Sequence, residues 1–338
     1  MLSSYLCIPL AGLGLTLALQ DAPPTLADAA LYGRANVVQT LIAGGADVNE
    51  RDGSGMTPLM VAAAQGQTAI ARLLVAAGAD VGASTDDGAT ALMRAASADR
   101  GEMVRYLISA GANVNARSAG AMTALMIAAF GGNVEPVRAL LEKGADPSLR
   151  DNQGRTALMA AVTGGDAGVV DALLAAGADP GVADSGGISA MTYAAASGST
   201  GAIAALTKKG VKPDGRDLVA AVEGCHGPAV RLLLTTGLKA SDPVGGKAPL
   251  IVAAGEGCAD AVTALLDKGA DINVRDGDGR TPLIIAAAGN TIDVARVLLA
   301  RGADVTLADR LDRTALMYAS MANREEMAAL FREMKNRD

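Results

Sequence analysis

The sequence predicts an all-α repeat solenoid, and three observations carry that prediction. A block typified by "TPLMVAAAQG" at 57–66 recurs every thirty-three residues, small residues are abundant (41 Gly beside many Ala), and large aromatic anchors are almost missing, with no Trp, two Phe and five Tyr. Such a chain packs through many close contacts between repeated helices and not around a few large rings. Half of its 338 residues are hydrophobic, which is ordinary for a folded protein and argues against disorder.

The first element is different from the rest. From Leu6 to Leu19 runs an apolar stretch containing "AGLGLTLAL", followed by Gln20, Asp21, Pro23 and Pro24. This is the pattern of a secretory signal peptide occupying 1–20, cut near Gln20, and it predicts a periplasmic or secreted protein. The stretch is shorter than the ~20 residues that span a bilayer, and "SYLC" before the run lacks the small residues of a lipoprotein box at Cys7. No Lys or Arg precedes Arg34, so the alternative is a cytoplasmic or host-directed chain whose first residues form an atypical helix.

Repeats then fill 21–338. Blocks begin at Thr57, Thr90, Thr123, Thr156 and Ser189, and again at Ala248, Thr281 and Thr314, every step within each group being thirty-three residues. Fainter copies start at Pro24 and Gly215, giving ten units with one irregular step of 26 residues between Ser189 and Gly215. In each unit Thr caps a short first helix, and Pro58 and Pro282 sit at the first helical position, where no N–H is needed. The ninth residue on is Gly33, Gly66, Asp99, Gly132, Gly165, Gly198, Gly224, Gly257, Asn290 or Asn323. These are the types that tolerate a left-handed backbone, so a tight turn is expected there. A second helix buries pairs such as Leu73-Leu74, Leu173-Leu174 and Leu265-Leu266. It ends at Gly45, Gly78, Gly111, Gly144, Gly177, Gly210, Gly269 or Gly302, the residue type of a helix C-cap. "GADVN" and an Asp/Gly-rich turn follow, predicting a hairpin-like finger. The units divide into regular repeats over 24–210, a degenerate finger-less repeat over 211–237 and regular repeats over 238–338.

In period and in the "TPL…A" block the chain resembles the ankyrin repeat, across 24–338. The signature His is replaced throughout, by Met60, Met93, Met126, Met159 and Met317 or by Thr192, Leu218, Ile251 and Ile284. The Thr–His hydrogen bond of the family is therefore replaced by apolar packing, and these Met are expected in the core. The resemblance implies a non-catalytic scaffold that binds another protein through a concave face made of fingers and first helices. Carried over by position, that face holds Met56, Gln65, Asp86, Asp87, Met122, Phe130, Asn152, Gln153, Arg155, Lys247, Glu256, Asp278, Arg280, Arg310 and Arg313. Phe130 either anchors a partner or fills a gap left by Gly131-Gly132. The charged "NREEMAALFREMKNRD" at 323–338 fits a terminal unit that is polar outside.

Little catalytic chemistry is available. His226 is the only histidine and stands next to Cys225, so no separate base can converge on a nucleophile. "PVGGKAPL" at 243–250 has Ala248 where a phosphate loop needs Ser or Thr, and "RDGDGRT" at 275–281 lacks the closing Glu of a calcium loop. Both are read as finger turns, and no cofactor or small-molecule substrate is expected. The net charge of −7 argues against nucleic acid, which needs a basic surface.

The irregular step leaves "GVKPDGRDL" at 210–218 seven residues short of a finger, through decay, as a hinge or as a notch for a partner. "HGP" at 226–228 is expected to lengthen the following turn by one residue. Cys225 and Cys258 lie thirty-three residues apart in "EGC" motifs, which places them at equivalent turns of adjacent repeats. Helices packed ~8–10 Å apart do not by themselves bring Cα atoms within the ~4.4–6.8 Å of a disulfide. The loosened spot favours a Cys225–Cys258 bond over two free thiols, and either over a metal or redox site that adds His226.

Overall fold

The structure, a computed structural model, describes residues 24–335 apart from 244; the expected leader lies outside the described residues. Among them twenty α-helices pair into ten helix-turn-helix units, from Leu26–Leu31 with Ala35–Ala43 to Ala315–Met321 with Glu325–Lys335. Each first helix packs on the first helices of its neighbours and each second helix on the second, so the core is a ribbon of contacts along the stack. Stability in such a fold is close to a sum over units and their nearest-neighbour interfaces.

Local chemistry fixes the helix starts. The hydroxyls of Thr57, Thr90, Thr123, Thr156, Ser189, Thr281 and Thr314 each accept the N–H three residues on, each worth ~1 kcal/mol. The first unit starts at Thr25 and not at Pro24, with a capping box between Thr25 and Asp28. Between the two helices comes one left-handed residue, Gly66 (φ 72°) or Asn290 (φ 60°) for example. The side chain that follows it reaches back to the preceding unit. Asn133 Nδ2 donates to the carbonyl of Ala96 at 2.7 Å, His226 Nε2 to Ala196 at 3.0 Å and Thr291 Oγ1 to Ala254 at 3.3 Å. Carbonyls that a helix C-terminus leaves open are thus closed by the next repeat.

The methionines that replace the signature His are buried in four units, Met60, Met93, Met126 and Met159 being at most 2% exposed. Met317 breaks that expectation at 49% exposed, since among the described residues no further unit packs on its helix. The last unit is polar only on its second helix, where Met327 and Phe331 face inward and Glu325 and Glu326 face outward; its first helix leaves Met321 open as well. Thr192 is a second correction to the apolar reading. Its hydroxyl lies 3.0 Å from Ser189 Oγ and donates at 2.7 Å to Asp217, a buried carboxylate in the next unit. Burial pushes the Asp217 carboxyl above the usual range, against the hydrogen bonds from Thr192 and the Asp214 N–H.

The irregular region also differs from the reading of its turn. The first helix there, Gly215–Glu223, is capped by Asp214 and runs one residue further, so that Gly224 stays right-handed (φ −77°) and Cys225 takes the left-handed place (φ 57°). The extra residue lengthens that helix and not the turn, since His226 caps the next helix just as Gln67 and Cys258 do in theirs.

Candidate functional site

The fingers stand side by side as a row, each built on a short side chain that clamps its own turn. Asp52, Asp151, Asp184, Asp276 and Asp309 each accept the N–H groups two and four residues on, an Asx-type closure that fixes the loop without a ligand. Arginine strengthens three of these clamps: Arg155 to Asp151 at 2.7 Å, Arg280 to Asp276 at 2.8 Å and Arg313 to Asp309 at 2.8 Å. Adjacent fingers are joined by backbone bonds, Ala119 N–H to Asp87 O at 2.9 Å, Asn152 to Gly120 at 3.1 Å, Ser185 to Gln153 at 2.9 Å and Arg310 to Asp278 at 3.0 Å.

Several residues assigned to the partner face thus already have bonds within the protein. Arg155 keeps only 19% of its side chain exposed against Asp151. Arg280 also holds Asp278 at 3.0 Å, Asp87 accepts from the Thr85 hydroxyl, and Asn152 donates to Ala119 O at 3.1 Å. Gln65, Asp86, Gln153, Lys247, Glu256 and Arg310 are exposed, and Met56 is half-buried, on successive fingers and helix ends. The structure does not gather them into one place. It does gather Met122, Phe130 and Arg155, which line a shallow apolar depression with Met126, Met159, Thr163 and Tyr193.

Phe130 ends the helix Ala124–Phe130 and is half-buried there. Its backbone is pressed by the next first helix, Ala157–Gly164: a Cβ on Gly164 would overlap the Phe130 carbonyl oxygen. Tyr193 was missed by the sequence reading, although the spacing held a signal. Tyr193 and Tyr318 each follow a finger Asp by nine residues and donate their hydroxyls at 2.8 Å to Asp184 and Asp309. Burial and the bond to Asp184 push the Tyr193 phenol up to about 12, so it remains a donor at neutral pH.

The Asp309 carboxyl shows the opposite shift. Burial pushes it up, but N–H bonds from Arg313 and Leu311, the Arg313 guanidinium and the Tyr318 hydroxyl outweigh this and hold it well below the usual carboxylate range. A depressed folded pKa contributes stability above the unfolded value, ~4, and loses it as pH falls through the folded value. Asp309→Asn is therefore expected to melt below wild type at pH 7, with the gap closing as the buffer is acidified below ~4. A gap independent of pH in thermal melts would show that the charge of Asp309 is immaterial.

Among the described residues no group of three His, Cys, Asp or Glu could hold a metal ion, and no helix is long and apolar enough to cross a membrane. Cys225 and Cys258 stand with Cα atoms 5.0 Å apart and sulfurs at bonding distance. They are not structurally equivalent, because Cys225 holds the left-handed position and Cys258 the helix cap beyond it. The two cysteines therefore meet across a one-residue offset between their units.

The family model for ankyrin repeats in three copies matches residues 26–118, 117–184, 193–276 and 250–337. No curated protein matches the chain at a significant level. With the helix pairs, capped turns and finger row in register over the same residues, the chain belongs to the ankyrin repeat family.

Proposed function

We propose that the protein is a non-catalytic scaffold that binds a partner protein through the depression around Phe130, on the units beginning at Thr123 and Thr156. Ankyrin repeats are generally protein–protein interaction modules. The observation that carries the finer reading is a half-buried phenylalanine in an aromatic-poor chain, set among Met122, Met126, Met159 and Tyr193. Flexible Met side chains adapt to a partner surface, and a central aromatic ring supplies the largest share of interface energy. Polar groups of the surrounding fingers are tied down by their own clamps, so this face is held ready with little ordering cost.

In a pull-down from the native envelope fraction, Phe130→Ala is expected to weaken capture by ~2 kcal/mol or more, and a finger-swapped variant to lose it. Unchanged capture with a lower melting temperature would assign the ring to packing instead. The same reading holds the protein to be exported, supported by the apolar run before Gln20 and by a cysteine pair suited to an oxidising compartment. Protein purified from the envelope is expected to begin near Asp21. An intact mass that includes residues 1–20 would defeat export.

A further inference from the structure

We propose that the gap in the finger row is a second binding site, and that it takes an acidic extended segment of a partner protein carrying one apolar side chain. The inference goes beyond the Phe130 surface and does not depend on it. Between Gly210 and Gly215 the chain passes straight from one unit to the next without building a finger. The space left beside the following finger is an open notch of about 420 Å³, with Leu218, Leu238 and Pro243 supplying apolar walls and Arg216 and Lys239 charge.

Charge separates this place from the rest of the molecule. Between Lys208 and Lys247 lie seven Lys and Arg against four Asp and Glu, a local +3 in a chain of net −7, so the remainder carries −10. Five of the eight lysines fall in this segment: Lys208, Lys209, Lys212, Lys239 and Lys247. All five are exposed, and none forms a salt bridge among the described residues. Arg216 is partly neutralised by Asp214 at 2.8 Å, and Asp242 also lines the notch, so the lysines carry the positive field. The lining itself is balanced, Asp214 and Asp242 against Arg216 and Lys239, so the positive excess comes from exposed lysines next to it in the chain, Lys212 and Lys247 among them, and such a cluster attracts ligands of the other sign.

The backbone supplies the complementary geometry. Elsewhere in the row a finger offers a carbonyl that the next finger's N–H takes, as Gln153 does for Ser185. Gly186 is the next carbonyl in that series, and the finger that would donate to it is the missing one. Ile188 in the same finger is 38% exposed, whereas its counterparts Met56 and Met122 are half-buried. An extended segment entering the gap would donate an N–H where the missing finger would have done, an added-strand mode of recognition. Its apolar side chain would sit against Leu218 and Leu238 and its carboxylates among the lysines.

The test is fluorescence polarisation with the fluorescein-labelled peptide Glu-Asp-Glu-Leu-Gly-Glu-Asp-Glu. Wild-type protein is expected to bind it, less tightly as salt rises from about 50 to about 300 mM, and to ignore a peptide with Lys at every acidic position. Lys212→Glu combined with Lys239→Glu is expected to weaken binding about tenfold or more. A variant whose gap is filled by a copy of the finger at 178–188 is expected to lose it, and Phe130→Ala to leave it unchanged. Because Lys212 and Lys239 are exposed, the charge-reversed variant keeps its fold even if the finger insertion does not. No binding of the acidic peptide by wild type, or undiminished binding by the charge-reversed variant, overturns the proposal.

Discussion

Gly164→Ala is expected to lower the unfolding free energy by about 3 kcal/mol, the upper part of the range for overpacking a tight contact. Gly164 closes the helix Ala157–Gly164, and a methyl group there would overlap the carbonyl oxygen of Phe130 and lie 3.1 Å from that of Ala129. Both neighbours are backbone atoms of the adjacent first helix, so relief requires the two helices to separate and not a side chain to rotate. In a stack held by nearest-neighbour interfaces, separation at one step weakens the coupling of everything on either side. Gly53→Ala is the control. A methyl group on Gly53 would meet nothing within 4 Å, and the residue needs no left-handed backbone, so its change is expected to stay within about 0.5 kcal/mol. Equal denaturant midpoints for the two variants would mean that the helices are not pressed together at Phe130. Gly164→Ala is also expected to disturb partner capture, because the displaced carbonyl belongs to the residue proposed to anchor it.

Mature protein from an oxidising compartment is expected to show no free thiol when unfolded without reductant, and Cys225→Ser with Cys258→Ser to lose about 3 kcal/mol of stability in the chain-entropy model. Cα atoms 5.0 Å apart lie inside the range a disulfide requires. Backbone conformation supports the bond independently. Cys225 occupies a left-handed position (φ 57°) that the other nine units give to Gly, Asn or Asp, at a cost of roughly 1–2 kcal/mol for an ordinary side chain. A cysteine kept there against that cost is explained by a covalent partner. The bond would join the finger-less unit to its neighbour where bonds between fingers are missing. Thiol titration giving two free thiols per chain would rule it out, and so would identical melts of wild type with and without reductant.

The thirty-three-residue period determined most of the architecture by itself. Thr caps, glycines after each second helix and Leu pairs are local rules repeated in register, and a unit that cannot bury its apolar face alone has to stack. Places where the period fails were legible only as failures. Gly224 counts as the ninth residue of its unit, yet Asp214 and Asp217 form a capping box that starts the helix a residue early. The helix also ends late, so the left-handed residue is Cys225, eleven after the cap where Gly66 is nine after Thr57; helix length answers to capping and to packing on the neighbours and not to counting. Met317 matches four buried methionines in sequence and is exposed because burial belongs to the neighbour, and among the described residues its unit has one on one side only. The face assigned by position was legible as a row of positions. Which of them are free was decided by tertiary contacts: Arg155, Arg280 and Arg313 are held by finger carboxylates four residues earlier, while Met122 and Phe130 are brought beside Tyr193 across three units. Sequence set the period and the type of each side chain, and only packing between units settled which side chains still face solvent.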